Sequence, residues 1–295
     1  MLEKKNVAAI VVTYHPDSSF AERFERLARQ VDAVLIVDND SGPAAVSMLR
    51  EVAPRLNMGL ILNSENVGLA AALNIGVARA IADGYEWALL FDQDTAPGDD
   101  MLEGLREAYS DFPRKDRLAI IGSNYSGPPP GELRFSKLVI NGCPWRERTA
   151  VITSGSLISL PIYGMVGPFR DEYFIDCVDL EYCLRARSKG FEVIETCKLL
   201  MVHDIGQPTR HRLPWREIRV SNHSRIRWYY MVRNDIDLTK KYLLREPSWM
   251  LASLWTRFKS MFVLCMFEED RLAKLWYSVM GLFDGLNSKF DRKLG

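Results

Sequence analysis

Over the first 125 residues, short apolar runs alternate with amphipathic stretches. VAAIVVTY (7–14) reads as a buried strand, FAERFERLARQ as a helix, AVLIVDND (33–40) as a second strand and GLILN (59–63) as a third. An Ala-rich helix runs from Leu69 to Asp83 and stops at Gly84, before strands at WALLFDQD (87–94) and LAIIGSNY (118–125). This alternation predicts an α/β fold, a Rossmann-like and mostly parallel sheet flanked by helices. Ligands of such sheets gather beyond the carboxyl ends of the strands, which sets Thr13, Asp38 and Asp92 on one edge. Further along, GPPPG (127–131) is a loop by its Pro and Gly content, and VITSGSLISL (151–160) reads as another buried strand carrying small residues. FIDCVDLEYCLRARSKG predicts a helix that Asp176 caps and Gly190 ends, and FEVIE and KLLMVHDIG predict closing strands. From about Leu213 the pattern turns helical, aromatic and basic with no internal repeat. The chain thus divides into a domain over 1–212 and a helical C-terminal appendage over 213–295.

Composition narrows the classes. With 295 residues, 47% hydrophobic and 26% charged, the chain can bury a full core, which excludes disorder or a fibre. Its 38 basic and 38 acidic residues balance, which leaves no electrostatic case for nucleic acid. Locally the balance fails: ten Lys or Arg face three acids between Ile205 and Arg245, interleaved with Trp215, Trp228, Tyr229, Tyr230 and Tyr242. Such a segment suits phosphates or an anionic membrane. The five cysteines form no C-x-x-C pair and follow no signal-peptide pattern, which fits a reduced, cytoplasmic protein. Arg257 and Lys259 interrupt the most apolar stretch, Trp249 to Phe267, so no run of about 18 apolar residues is expected to span a membrane.

The acidic pair in LLFDQDT (89–95) is the sharpest chemical signal. Residues two apart on a strand face the same way, so Asp92 and Asp94 can close on one divalent cation, and oxygen ligands suit Mg2+ or Mn2+. A solvated turn continued by Asp99 and Asp100 is the plainer alternative. VDNDS places Asp38 and Asn39 where they could meet a base or ribose, or simply make a turn with Asp40, Ser41 and Gly42. NSENVGLAAALNIG sets Asn63, Asn66 and Gly68 before a helix whose first amides could meet phosphate, without a P-loop Lys or a G-x-G-x-x-G spacing. Asp176, Asp179 and Glu181 open a helix where acids favour the positive end of the dipole, and a carboxylate facing the same pocket could serve as general base. His203 reads as a core histidine or a third metal ligand. Cys177 and Cys183 lie about 240° apart around one helix and cannot easily share a zinc with Cys197 and His203.

In this order, VVTYHPD, IVDNDSG, NSENVGLAAALNIG, LLFDQDT, TSGSLIS, FIDCVDLEYCLRARSKG, VHDIG and RWYYMVRN resemble the family 2 glycosyltransferases of the GT-A nucleotide-sugar-binding fold. They span about residues 6–235 and are most similar to bacterial rhamnosyltransferases, FDQDT with RWYYMVRN being the part that points to rhamnose. The resemblance implies that Thr13 and Tyr14 line the nucleotide pocket and Asp38 reads the pyrimidine base. It implies that Asn39, Asn66, Gly68, Asn74 and Gln93 shape the nucleotide-sugar side, and that Ser154 and Gly155 face the acceptor. Asp92, near the ribose, would hold Mg2+ or Mn2+ with Asp94 and His203, and Asp179 would be the catalytic base. Many relatives carry Glu-Asp where this chain has Val178-Asp179, so the supporting acid falls to Asp176 or Glu181.

The activity so implied is inverting transfer of L-rhamnose from dTDP-β-L-rhamnose, by a single in-line displacement. The acceptor would be a glycan or a polyprenyl-diphosphate-linked glycan in O-antigen or capsule synthesis. Alternatives are another nucleotide sugar, galactofuranose or N-acetylhexosamine, and a scaffold that binds nucleotide sugar without transfer. A nucleotidyltransferase ranks last, because TYHPDSS is not the Gly-rich loop it requires. The C-terminal WMLASLWTRFKSMFVLCMF suits a membrane interface on the inner face of the plasma membrane, with cover for the catalytic domain or a homodimer contact as the alternatives.

Overall fold

The computed structural model describes residues 2–127, 132–133, 142–203, 209–213, 216–292 and 294. The loop expected over 127–131 falls outside these residues except for Gly127, as do Trp215 and the end of VHDIG. Two compact units emerge, Met1–Asp171 with Val178–Asp204, and Glu172–Cys177 with Ile205–Gly295. The short segment 172–177 thus belongs with the C-terminal unit, which the sequence pattern does not foretell.

The first unit opens with β1 (Val7–Thr13), α1 (Phe20–Gln30), β2 (Ala33–Asp38), α2 (Pro43–Arg55) and β3 (Met58–Leu62). It continues with α3 (Leu69–Ala82), β4 (Trp87–Asp92), β5 (Thr95–Pro97), α4 (Met101–Asp111) and β6 (Leu118–Gly127). After β7 (Glu132–Leu133) and β8 (Trp145–Glu147) come β9 (Ser156–Ser159), α5 (Leu160–Val166), α6 (Val178–Ser188) and β10 (Glu192–His203). Their sheet runs β3-β2-β1-β4-β9-β6-β10-β5, with β7 beside β6 and β8 beside β10. β1 is buried at every position, as befits a central parallel strand covered on both faces. On α1, Phe20, Phe24 and Leu27 recur at helical spacing and form its buried stripe.

Register explains the site edge. β1 pairs in parallel with β2, Thr13 opposite Asp38, and with β4, Val12 opposite Asp92. The three strand ends therefore finish together. β9 then runs antiparallel to both β4 and β6, so the sheet is mixed beyond β4. The expected strand 151–160 shrinks to Ser156–Ser159, because Thr153, Ser154 and Gly155 form a turn in which Gly155 has φ +73°. FEVIE and KLLMVHDIG are one strand, β10, whose register slips against β6 between Glu195 and Met201. Such irregularities bend a strand and re-aim its end.

In the second unit, β11 (Thr209–Leu213) and β12 (Arg216–Val220) form an antiparallel hairpin where helix was expected to begin. Ile218 and Val220 stand two apart, a strand period rather than a helical one. Three helices follow, α7 (Arg225–Tyr242), α8 (Pro247–Phe267) and α9 (Arg271–Leu286). The Ser224 side chain caps α7 by accepting the Arg227 N–H at 3.2 Å. Trp228 and Val232 of α7 pack with Leu264 of α8, joined by Ile236, Met261, Cys265 and Leu275. α9 crosses α7 closely at Gly281, where an added Cβ would strike the Tyr229 carbonyl oxygen. Arg257 and Lys259 do not break α8, and the 21-residue helix is long and apolar enough to cross a membrane by length and composition.

Segment 172–177 is strained: Phe174, Asp176 and Cys177 have φ of 59°, 63° and 62°. A left-handed backbone costs an ordinary residue roughly 1–2 kcal/mol, so the surroundings must fix it. Asn234 does so by donating from its amide to the carbonyls of Tyr173, Ile175 and Asp176 at 3.0, 3.0 and 2.9 Å. Arg233 donates to the Glu172 and Tyr173 carbonyls while its guanidinium lies 4.8 Å from the Tyr230 ring centroid. Arg227 grips the Asp176 carboxylate with Nε and Nη2 at 3.0 Å. These three side chains all belong to RWYYMVRN.

Candidate active site

The D-x-D turn is held from several sides. β4 ends at Asp92 and β5 starts at Thr95, so two residues carry the chain from mid-sheet to the far edge beside β10. Gln93 makes that jump rigid: its side-chain amide accepts the Tyr14 N–H at 2.7 Å and donates to the Tyr14 carbonyl at 2.8 Å. A side chain thereby extends the β1–β4 pairing one step past the last backbone pair. Arg23 donates to the Gln93 carbonyl at 3.0 Å and to Asp17, whose carboxyl this hydrogen bond lowers below its ordinary range. Gln93 is therefore a brace for Tyr14, which stays exposed beside it.

β5 pairs antiparallel with β10, Thr95 opposite His203, which brings a histidine from the far end of the unit to the acidic pair. His203 Nδ1 lies 2.8 Å from Thr95 Oγ1 and 3.4 Å from Asp94 Oδ1, and the Tyr125 ring closes edge-on at 5.7 Å. One ligand atom each from Asp92, Asp94 and His203 lie within 4.8 Å of one another. Two carboxylates and an imidazole form a hard oxygen and nitrogen set that fits Mg2+ or Mn2+. Thr95 occupies the position from which an outer hydroxyl fixes a ligating imidazole.

The turn 153–155 joins this edge to Asp179. Thr153 N–H donates to Asp179 Oδ2 at 3.0 Å, and Leu180 N–H to Oδ1 at 2.8 Å. Ser154 Oγ accepts the Asp92 N–H at 3.1 Å and also hydrogen-bonds Thr95 Oγ1. Gly155 N–H reaches the Leu90 carbonyl at 2.7 Å, while Ser123 Oγ donates to the Gly155 carbonyl at 2.6 Å. Ser154 and Gly155, expected on the acceptor side, sit in a buried hub: Ser154 has no exposed surface and its hydroxyl bonds Asp92 and Thr95. Asp179 borders a narrow apolar gap with Leu90, Val151, Tyr182 and Cys183. Burial pushes the Cys183 thiol up to about 12 and Cys177 well above its ordinary value.

On the nucleotide side, Asp38 is fully buried, accepting from Thr13 Oγ1 at 2.8 Å, from Ser41 N at 3.1 Å and from Ser41 Oγ. Ser41 Oγ in turn accepts the His15 N–H at 2.8 Å, so Asp38 and Thr13 set the shape of two site loops. The turn-forming use of VDNDS is the one seen, and base contact by Asp38 would require that network to open. Asn39 donates to Asn66 Oδ1 at 2.8 Å and accepts from Asn63 and from the Val67 N–H. Asn66 also accepts the Gly68 N–H at 3.0 Å, which presents the start of α3. Asn74 is a clamp elsewhere: it accepts from Tyr163 Oη and Phe169 N and donates to Phe169 O and Asp171. That uses all four of its hydrogen-bonding positions.

The two supporting acids are both ion-paired. Asp176 holds Arg227 in place of the helix cap expected of it, and Glu181, almost fully buried, is chelated by Arg185. The roles of Arg227, Arg233 and Asn234 lie in a motif visible in the sequence, but the strained segment they hold is not readable there. Thr95 and Thr153 were missed because one acts through a hydroxyl beside the acidic pair and the other through its backbone.

A nucleotide-sugar fold with an acidic D-x-D edge is the class this architecture defines. The family model described as Glycosyl transferase family 2 matches residues 8–135. The dTDP-rhamnosyl transferase RfbF of Shigella flexneri is 29% identical over 248 residues, 80% of this chain and 80% of that protein. The mannosyltransferase PcManGT from Pyrobaculum calidifontis, in complex with GDP-Man and Mn2+, gives a TM-score of 0.58 at 15% identity, over 99% of this chain and 88% of that one. GalNAc-T7 with UDP, GalNAc and Mn2+ gives 0.61 at 13% identity over 97% of this chain, which spans 58% of that larger protein. The chain has the GT-A fold, and its residues 8–135 match glycosyl transferase family 2.

Proposed function

We propose that this glycosyltransferase moves L-rhamnose from dTDP-β-L-rhamnose to a hydroxyl of a glycan or polyprenyl-diphosphate-linked acceptor, with inversion. The observation that carries the reading is the joining of Asp179 to the Asp92/Asp94/His203 cluster through the turn 153–155. A divalent cation, Mg2+ or Mn2+, held by Asp92, Asp94 and His203 would neutralise charge on the leaving diphosphate. Asp179, fixed by two backbone N–H groups, accepts the proton of the acceptor hydroxyl. The acceptor oxygen then bonds the anomeric carbon from the face opposite the leaving group. The bond from that carbon to the diphosphate oxygen breaks, and dTDP leaves with the electron pair. An α-linked rhamnoside results.

Support for rhamnose as the sugar comes from the relative's name and from FDQDT with RWYYMVRN. The test is a turnover panel of dTDP-rhamnose, UDP-galactose, UDP-N-acetylglucosamine and GDP-mannose, each with Mn2+ and with EDTA, followed by release of nucleoside diphosphate. Metal-dependent release from dTDP-rhamnose is expected. Preference for another donor replaces the sugar, and no release from any donor, with binding intact, favours the scaffold reading.

A further inference from the structure

α8 and α9 each carry two faces of different use. On α8, Met250 and Leu264 are buried, Met261 and Cys265 join the cluster on α7, and Arg257 pairs with Asp235. The opposite face runs Leu251, Trp255, Phe258, Phe262 and Met266, each between 55% and 63% exposed. On α9, Lys274, Ser278, Gly281, Asp284 and Gly285 are buried, while Leu272, Trp276, Val279, Phe283 and Leu286 are 41% to 79% exposed. Both stripes follow helical spacing, so each is a continuous apolar face of a kind soluble surfaces rarely leave bare.

We infer that these two stripes dock the protein, in plane, onto an anionic lipid bilayer. Three observations favour that occupant. Trp and Phe make up half of the stripes, the residues that form the lipid-facing side of an interfacial helix, and the Trp rings suit the headgroup level. Neither helix exposes an acid: α8 contains none, and Asp284, the acid on α9, is buried. Lys259 and Arg271 are exposed on them, and Lys259 Nζ lies 6.0 Å above the Trp255 ring, while the exposed acids Glu269 and Asp270 sit in the turn between the helices. Each cation near an anionic surface adds roughly 1 kcal/mol of attraction.

The buried face decides the orientation. α8 is long enough to span a bilayer, but its inner face is packed on α7 and Arg257 is ion-paired with Asp235. Lying flat keeps those contacts, whereas crossing would strip a charged pair of its partner. The inference rests on the second unit alone and stands apart from the choice of donor.

The test is sedimentation of the full chain with vesicles of phosphatidylcholine, and of phosphatidylcholine carrying about one-third phosphatidylglycerol. The wild type is expected to bind the anionic vesicles about tenfold better than the neutral ones. The combined variant W255S/F258S/W276S/F283S is expected to lose binding by about tenfold or more. Ile81→Ser with Met165→Ser, which removes exposed apolar side chains from the first unit, should bind as the wild type does. Lys259→Glu leaves the apolar stripe whole and should lower anionic-vesicle binding about tenfold without changing the neutral case. Failure of the wild type to sediment, undiminished binding by both the combined variant and Lys259→Glu, or a lipid-free dimer by light scattering that the combined variant splits, overturns the inference.

Discussion

The strand-end edge of the first unit and the outer faces of α8 and α9 break the usual inside-outside rule in opposite directions. At the edge, Thr13, Asp38, Asn39, Ser41, Thr95, Ser154 and His203 are polar and buried. On the helices, Trp255, Phe258, Trp276 and Phe283 are apolar and exposed. Burying polar groups is costly unless each finds a partner, and at the edge they form continuous chains from Asp92 through Ser154 and Thr95 to His203. Those chains aim carboxylates and an imidazole at one place. The exposed stripes have the reverse economy: they add nothing to the core and persist as surface.

Substitutions should separate the two kinds of region. The largest effect is expected for Asp179→Asn, which should lower transfer by about a thousandfold or more while donor affinity, by calorimetry, stays near wild type. Unimpaired turnover would remove Asp179 as the base. Thr95→Val comes next, because it deletes the hydroxyl that fixes His203; Mn2+ affinity should fall by about 10–100-fold with the fold retained in circular dichroism. Asn234→Ala should cost about 2–3 kcal/mol in urea unfolding, since it releases three carbonyls of a strained segment.

A smaller effect concerns His223, which burial, and then Arg227, lowers from 6.5 to about 4. Between those values the unfolded chain binds a proton that the folded unit refuses, so stability should fall as pH drops from 6.5 toward 4 and stay flat above. His223→Gln should flatten that part of the profile in melting experiments; an unchanged slope would assign it to other groups. Smallest of all, Trp276→Ser should leave the melting temperature within experimental scatter, because the ring is 64% exposed. A clear loss there would mean the stripe is core rather than surface.

Much of the edge was legible in the sequence because parallel strands end together, and because Asp92 and Asp94 stand at the stop of an apolar run. His203 could be named as a candidate ligand, but its partner Thr95 follows from the β5–β10 pairing, which the three residues of β5 do not announce. Gln93 and Asn74, named for the nucleotide-sugar side, make internal hydrogen bonds that the sequence does not announce, to Tyr14 and to Tyr163 and Phe169, because side-chain amides are equally suited to both uses. Asp176 had the position of a helix cap, yet Arg227, 51 residues away, takes its carboxylate. The β11–β12 hairpin was hidden under charged residues that blur its period of two. The composition of α8 was plain in the sequence, whereas only packing shows which of its faces α7 leaves bare.

The account rests most directly on a cation site made by Asp92, Asp94 and His203, and calorimetry of dTDP binding tests it, with Mn2+ and with EDTA, for the wild type and Asp94→Ala. Strong dTDP binding that needs Mn2+ in the wild type and is lost in Asp94→Ala is the predicted result. Equal dTDP affinity with Mn2+ and with EDTA in the wild type would contradict it.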